Sequence, residues 1–292
     1  MQKEGSIAFD VFNYALMIIL IFVCVYPFYY ILVYSISEPK EALKGIVFLP
    51  REPTLINYIQ IFKLDNISNA FFISTGRTVI GTMMTIFGSS LFAYLMTKDE
   101  LYFRKLMYRL SVISMYFSAG LIPWYLTMKF FGLKNTFLLY VVPSMVVVFY
   151  VVLIKTFIEQ LPKALEESAM MDGAGYFKIF TKVIFPLSFP IIATVAVFSA
   201  VAQWNTFFDN FFLASSDHLQ TLQLILYSYL TEAQQVVQNS NLDDLNRGTA
   251  SQISPESVRV TITMIVTVPV LLVYPFLQRY FVKGIMLGAI KG

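Results

Sequence analysis

Long apolar runs alternate with shorter polar segments along this chain, and the run lengths restrict what each run can be. About six stretches reach the roughly 20 mostly apolar residues that a helix needs to cross a bilayer. They lie near positions 11–35, 71–96, 106–130, 137–157, 187–213 and 258–281. Each exceeds the roughly 9–11 residues of a barrel strand, and none alternates apolar and polar positions with period two. The pattern therefore predicts an all-α, polytopic membrane protein. The third run is interrupted at Gly120 and Pro123, a combination that breaks or kinks a helix. The first run follows a polar stretch with one lysine. It is too long for the apolar region of a signal peptide and lacks a small-residue cleavage site, so it reads as the first span.

Composition agrees with this pattern. Of 292 residues, 57% are apolar, 16% aromatic and only 13% charged. A soluble domain averages roughly 45–50% apolar and 25% charged residues. A net charge of +3 gives no basic stripe for nucleic acid. Cys24 is the single cysteine and His218 the single histidine. An internal disulfide is excluded, and a metal centre is not expected. The sequence has no phosphate-cradling Gly-x-x-x-x-Gly-Lys-Ser/Thr loop, no His-Glu-x-x-His and no paired acids within the spans, so neither an enzyme nor a cofactor-binding chain is expected.

Basic residues set the orientation. With both termini in the cytoplasm, the compact cluster Lys98, Arg104, Lys105 and Arg109 lies inside, as do Lys155, Lys163, Lys178 and Lys182. The outside loops then carry the smaller share, although Lys40, Lys44, Arg51 and Lys63 in the first of them oppose the trend. The two long outside loops run to about 35 and 45 residues, lengths that usually signal function or disorder. The second, about 214–257, holds a helical-looking stretch to Gln238 and then a polar tract expected to be mobile. The inside loop, about 159–186, is amphipathic and charged, and it reads as two short helices around the turn pair Asp172-Gly173. Pro162 suits a first-turn position, and Glu166 and Glu167 suit the N-terminal half of a helix. From spacing alone, an interfacial hairpin on the membrane explains this loop equally well.

The inside loop also carries Glu167-Ser168-Ala169, Gly173 and Val183-Ile184-Phe185-Pro186 at fixed spacing. This resembles the EAA loop of ABC-importer permeases, Glu-Ala-Ala, three residues, Gly, nine residues, Ile-x-Leu-Pro. Ser168, Val183 and Phe185 depart from the pattern while keeping size or apolarity. Tyr26-Pro27-Phe28, the stretch from Phe117 to Pro123, Gly132-Leu133-Lys134-Asn135-Thr136 and the closing Phe281 to Gly292 extend the likeness to carbohydrate-type permeases of the MalG and LplC kind. The resemblance implies a single transmembrane domain in a bacterial cytoplasmic (inner) membrane, importing oligosaccharides or polysaccharide fragments by alternating access. It implies that Glu166, Glu167, Ala169, Asp172, Gly173 and Pro186 couple the chain to an ATPase. The implied partners are a second, similar permease, two cytoplasmic ATPase subunits that bind ATP and Mg, and an external solute-binding protein. Other cargo, or a channel or secondary transporter without a coupling loop, are the alternatives.

Polar groups inside spans are costly in lipid and usually face a cavity or a partner. The richest set is Gln203, Trp204, Asn205, Asp209 and Asn210 on the fifth run. Amides and a carboxylate suit sugar hydroxyls, and an indole suits a sugar's apolar face, which makes these the candidate path residues; helix–helix hydrogen bonding is the competing role. Arg77 is expected to snorkel to the outer interface. Gly81, Gly88, Ser89 and Ser90 are expected to mark close helix packing.

Overall fold

The computed structural model describes residues 7–45, 48–63, 66–239 and 255–289. Its helices are α1 (Ile7–Ser35), α2 (Pro39–Ala42), α3 (Ile56–Lys63), α4 (Ile67–Leu95), α5 (Arg104–Ser114), α6 (Leu121–Phe130), α7 (Val148–Ile158), α8 (Ala164–Met171), α9 (Tyr176–Ile179), α10 (Phe185–Leu187), α11 (Phe189–Asn205), α12 (Phe208–Leu213), α13 (Leu222–Asn239) and α14 (Pro255–Ala289). No strand occurs among the described residues. Most of the polar tract expected to be mobile, 240–254, lies outside them.

Three helical segments, Phe9–Ser35, Ile67–Leu95 and Glu256–Val273, are individually long and apolar enough to cross a membrane. Tyr176–Leu187 and Phe189–Asn205 pass the same test together but bend by 83° at their junction. The remaining runs do not form single straight helices. The third is split into α5 and α6 around Gly120, whose φ is +84°. The fourth is a short 3-10 turn, Phe137–Tyr140, then irregular chain, then α7. The fifth breaks between α11 and α12.

The chain divides into two compact units, Met1–Ile67 with Leu226–Val268, and Ser68–Ile225 with Pro269–Gly292. In the first unit, the N-terminal half of α1 exposes Phe12, Ile18 and Ile21 as a lipid-facing helix would, while Val33 and Tyr34 are buried with Ala42 and Val260. The helix end needs donor partners, because its last carbonyls have none within the helix. Asn57 supplies them, its Nδ2 donating to the carbonyls of Ser35 and Ser37 at 2.9 Å each. Glu38 caps α2 by accepting from the Glu41 amide at 2.9 Å, and Pro39 occupies the first turn, where its missing N–H costs nothing.

In the second unit, α4 makes the irregular stretch before α7 possible. Backbone groups of a non-helical segment at membrane depth must find partners inside the protein. Thr85 of α4 donates to the Ser144 carbonyl at 2.7 Å, and the Ser89 hydroxyl accepts from the Val147 amide at 3.1 Å. Gly88 lets the chains approach, since a Cβ there would sit 2.4 Å from the Met145 carbonyl oxygen. At Gly81 a Cβ would lie 2.6 Å from the Gln203 amide. The small residues of α4 therefore mark close packing, as their composition predicts.

Candidate functional site

The segment from α8 to α10 is built by local rules. Glu166 and Glu167 occupy the first turn of α8, where negative charge meets the positive end of the helix dipole. The helix closes in a Schellman turn, with the Gly173 amide on the Met170 carbonyl at 2.9 Å and the Ala174 amide on the Ala169 carbonyl at 3.0 Å. This turn needs a left-handed residue, and Gly173 supplies it at φ +76°. After α9 the helix widens into a π turn, Phe180–Ile184. Pro186 accounts for the widening: it cannot donate to the carbonyl one turn back, and its ring crowds that carbonyl. The chain then swings by 83° into α11.

One side of this segment is bound tightly. Ile179, Phe180 and Ile184 are buried in a cluster with Tyr94 of α4, Val151 and Ile154 of α7, and Val195 of α11. The Phe180 ring lies 5.5 Å from that of Tyr94 and 5.7 Å from that of Phe185. Ala169 packs against the same cluster. Glu166 forms an ion pair with Lys98, whose ammonium sits 4.2 Å from the Tyr94 ring centroid. The other side is open: Glu167, Asp172, Gly173 and Pro186 are exposed, and so are Leu165, Met171 and Phe177.

A cavity of about 920 Å³ opens in the same unit. Its aromatic walls are Phe117, Trp124, Tyr140, Tyr150 and Phe208, and its polar ones include Thr85, Ser144, Gln203 and Thr206. Arg77 and Asp209 also line it. Arg77 is 3% exposed, so the expected snorkelling does not occur. Its guanidinium instead grips Asp209 with two parallel bonds, Nη1 to Oδ1 at 2.9 Å and Nη2 to Oδ2 at 2.6 Å. Nε donates to the Gln203 side-chain oxygen at 3.0 Å, and Nη1 donates to the Thr206 carbonyl at 3.0 Å. The Tyr140 ring covers the guanidinium at 4.7 Å, and Gln203 passes the network on to the Ser144 hydroxyl at 2.6 Å.

The candidate path residues therefore separate. Gln203 and Asp209 line the cavity, while Trp204, Asn205 and Asn210 do not. Trp204 packs edge-on to Phe71 at 6.5 Å and borders a separate apolar cleft with Val197 and Pro269. Asn205 accepts from the Gln223 amide at 3.1 Å. Asn210 is fully buried and accepts from the Thr221 amide at 2.8 Å and its hydroxyl at 3.1 Å, pinning the chain that leads into α13. Sequence reasoning missed Trp124, Tyr140 and Ser144 as wall residues and Arg77 as the partner of Asp209. The Arg77 pairing had a signal, since ionisable residues inside spans pair with one another.

Comparison with known proteins places these features. Residues 5–287 match the family model of the binding-protein-dependent transport system inner membrane component. The chain is 33% identical to the polygalacturonan/rhamnogalacturonan transport system permease protein YtcP of Bacillus subtilis (strain 168), over 97% of this chain and 98% of that one. It is 34% identical to the protein LplC of the same organism, over 99% and 97%. Among solved structures, a chain of a bacterial ABC transporter that imports the acidic polysaccharide alginate superposes with a TM-score of 0.85 at 26% identity, covering 96% of this chain and 99% of that one. With the match spanning nearly its whole length, this chain belongs to the family of binding-protein-dependent transport system inner membrane components.

Proposed function

We propose that this chain is one permease subunit of an ATP-driven importer of oligosaccharides or polysaccharide fragments. It pairs with a second, similar permease, two ATPase subunits that carry ATP and Mg, and an external solute-binding protein. The chain itself binds no cofactor and makes or breaks no bond. It crosses the bacterial inner membrane several times, with both termini on the cytoplasmic side. The observation that carries this reading is the segment from α8 to α10, which is anchored on one side and open on the other.

The segment works as a lever. An ATPase that closes against the exposed face, at Glu167, Asp172, Met171 and Phe177, pushes on two short helices that cannot flex independently of their base. Phe180 and Ile184 transfer the push to α4, α7 and α11, with which they share one cluster. Those helices contribute Thr85, Tyr150 and Gln203 to the cavity. Movement of the base therefore reshapes the cavity, as alternating access requires. The cavity suits a sugar, because aromatic faces lie beside amide and hydroxyl groups. Its volume falls within the roughly 300–1,000 Å³ typical of ligand sites.

The test is ATP hydrolysis by the complex assembled in lipid with its binding protein, across neutral and acidic oligosaccharides. Stimulation by glycans is expected, and failure to assemble with any ATPase overturns the reading. Gly173→Pro and Glu167→Lys are expected to abolish stimulation while leaving membrane insertion intact. Normal stimulation in both variants removes the coupling role from the loop.

A further inference from the structure

We infer that Arg77 and Asp209 form a charge-cancelling clamp, so that the cavity wall selects cargo by stacking and hydroxyl contacts and not by charge. This rests on the reading of the cavity as the transport path.

The break between α11 and α12 leaves the Thr206 carbonyl outside the helical ladder. Arg77 donates to it, to both oxygens of Asp209 just beyond the break, and to Gln203 just before it. Four of the five N–H donors of a guanidinium are thereby used. One α4 side chain thus fixes both sides of the break and is a positioning residue for it. A lysine cannot replace it, because the grip on Asp209 uses the planar fork.

The same bonds decide the electrostatics. Among the described residues that line the cavity, Arg77 and Asp209 alone carry charge. Their side chains are 4% and 13% exposed, and their charges cancel within one bidentate contact. A carboxylate on the cargo would have to displace Asp209 from a pair that buried geometry already satisfies, and breaking such a pair costs far more than a surface contact returns. What remains for cargo is Trp124, Phe117 and Phe208 as stacking faces and the hydroxyls of Thr127 and Ser118 as partners. Where this permease carries an acidic glycan, the charge is met on the partner permease or on the binding protein.

The experiment uses the assembled complex in nanodiscs with its binding protein. It compares hydrolysis stimulated by a uronate oligosaccharide with that stimulated by a neutral one of equal length. Asp209→Asn frees one cation and is expected to raise the acidic-to-neutral ratio about tenfold, the effect of one charge-assisted hydrogen bond. Arg77→Gln combined with Asp209→Asn removes both charges and is expected to keep the parent ratio. Thr127→Lys adds a lone cation to the wall without touching the clamp, and covers the case in which Asp209→Asn fails to assemble. An unchanged ratio in Thr127→Lys, or in an assembled Asp209→Asn, overturns the inference, as does an equal shift in the double variant. If the parent complex assembles but no glycan stimulates it, the sugar assignment fails instead. The clamp is then judged by thermal unfolding alone, where the double variant is expected to be more stable than Arg77→Gln and a less stable one overturns it.

Discussion

The turn at 172–175 and the breaks at 141–147 and 206–207 both interrupt helices, yet the chain resolves them in opposite ways. At the first, Asp172 and Gly173 are exposed, and the helix closes with its own backbone through the Schellman bonds at Ala169 and Met170. At the other two, partners come from α4: Thr85 and Ser89 for the stretch around Ser144, and Arg77 for Thr206. The difference teaches where such a fold is expensive. An exposed turn requires a glycine and little else, since water can complete the remaining hydrogen bonds. A break among spanning helices requires a donor or acceptor from another helix, because hydrocarbon offers none. The α4 helix therefore serves as the polar spine of its unit although most of its residues are apolar.

If this is right, damage to α4 at the breaks should exceed any damage at the exposed turn. The largest loss is expected from Arg77→Leu, which leaves Asp209 buried without its cation and the Thr206 carbonyl without a donor. Removing one partner of a buried pair costs about 3–5 kcal/mol. Thermal unfolding of the purified complex should register it, and a shift no larger than that of a surface variant would refute the role of the clamp. Gly88→Val comes next. Its added carbons fall on the Met145 backbone, which cannot swing aside as a side-chain tip can. Overpacking of this kind costs about 1–3 kcal/mol. The same melt measures it, with Gly76→Ala as the comparison, because a Cβ at Gly76 meets only the Phe137 ring at 3.7 Å.

How much of this was legible in the sequence follows the same division. The all-helical membrane character and the loop around Gly173 were readable, because long apolar runs and a Glu–Gly–Pro spacing are local signals. Of the breaks, the one at Gly120 and Pro123 was read from the sequence, while Pro143 was passed over inside an apolar run. The fourth run looks like one continuous span because Val141-Val142-Pro143-Ser144 is mostly apolar, and its compensation lies far away at Thr85 and Ser89. The residues proposed on α11 and α12 were chosen by polarity, which cannot tell a cavity wall from a helix-to-loop contact. Asn210 is polar for the sake of Thr221, and Asn205 for Gln223. Arg77 and Asp209 stand far apart in sequence, and only folding brings them together.

The smallest expected effect sharpens the contrast from the other side. Gly173→Ala places a Cβ in the left-handed region, where nothing lies within 4 Å of it, so the cost is conformational and not steric. Relative to glycine that cost is about 1 kcal/mol. Unfolding of the complex should therefore shift only slightly, well below Gly88→Val. Glycan-stimulated hydrolysis should stay close to that of the parent, because the Schellman bonds use backbone groups that alanine retains. A large loss of stimulation with an unchanged melt would mean that the ATPase contacts the Gly173 backbone itself. The turn would then be a docking element in its own right and not merely the bend between two helices.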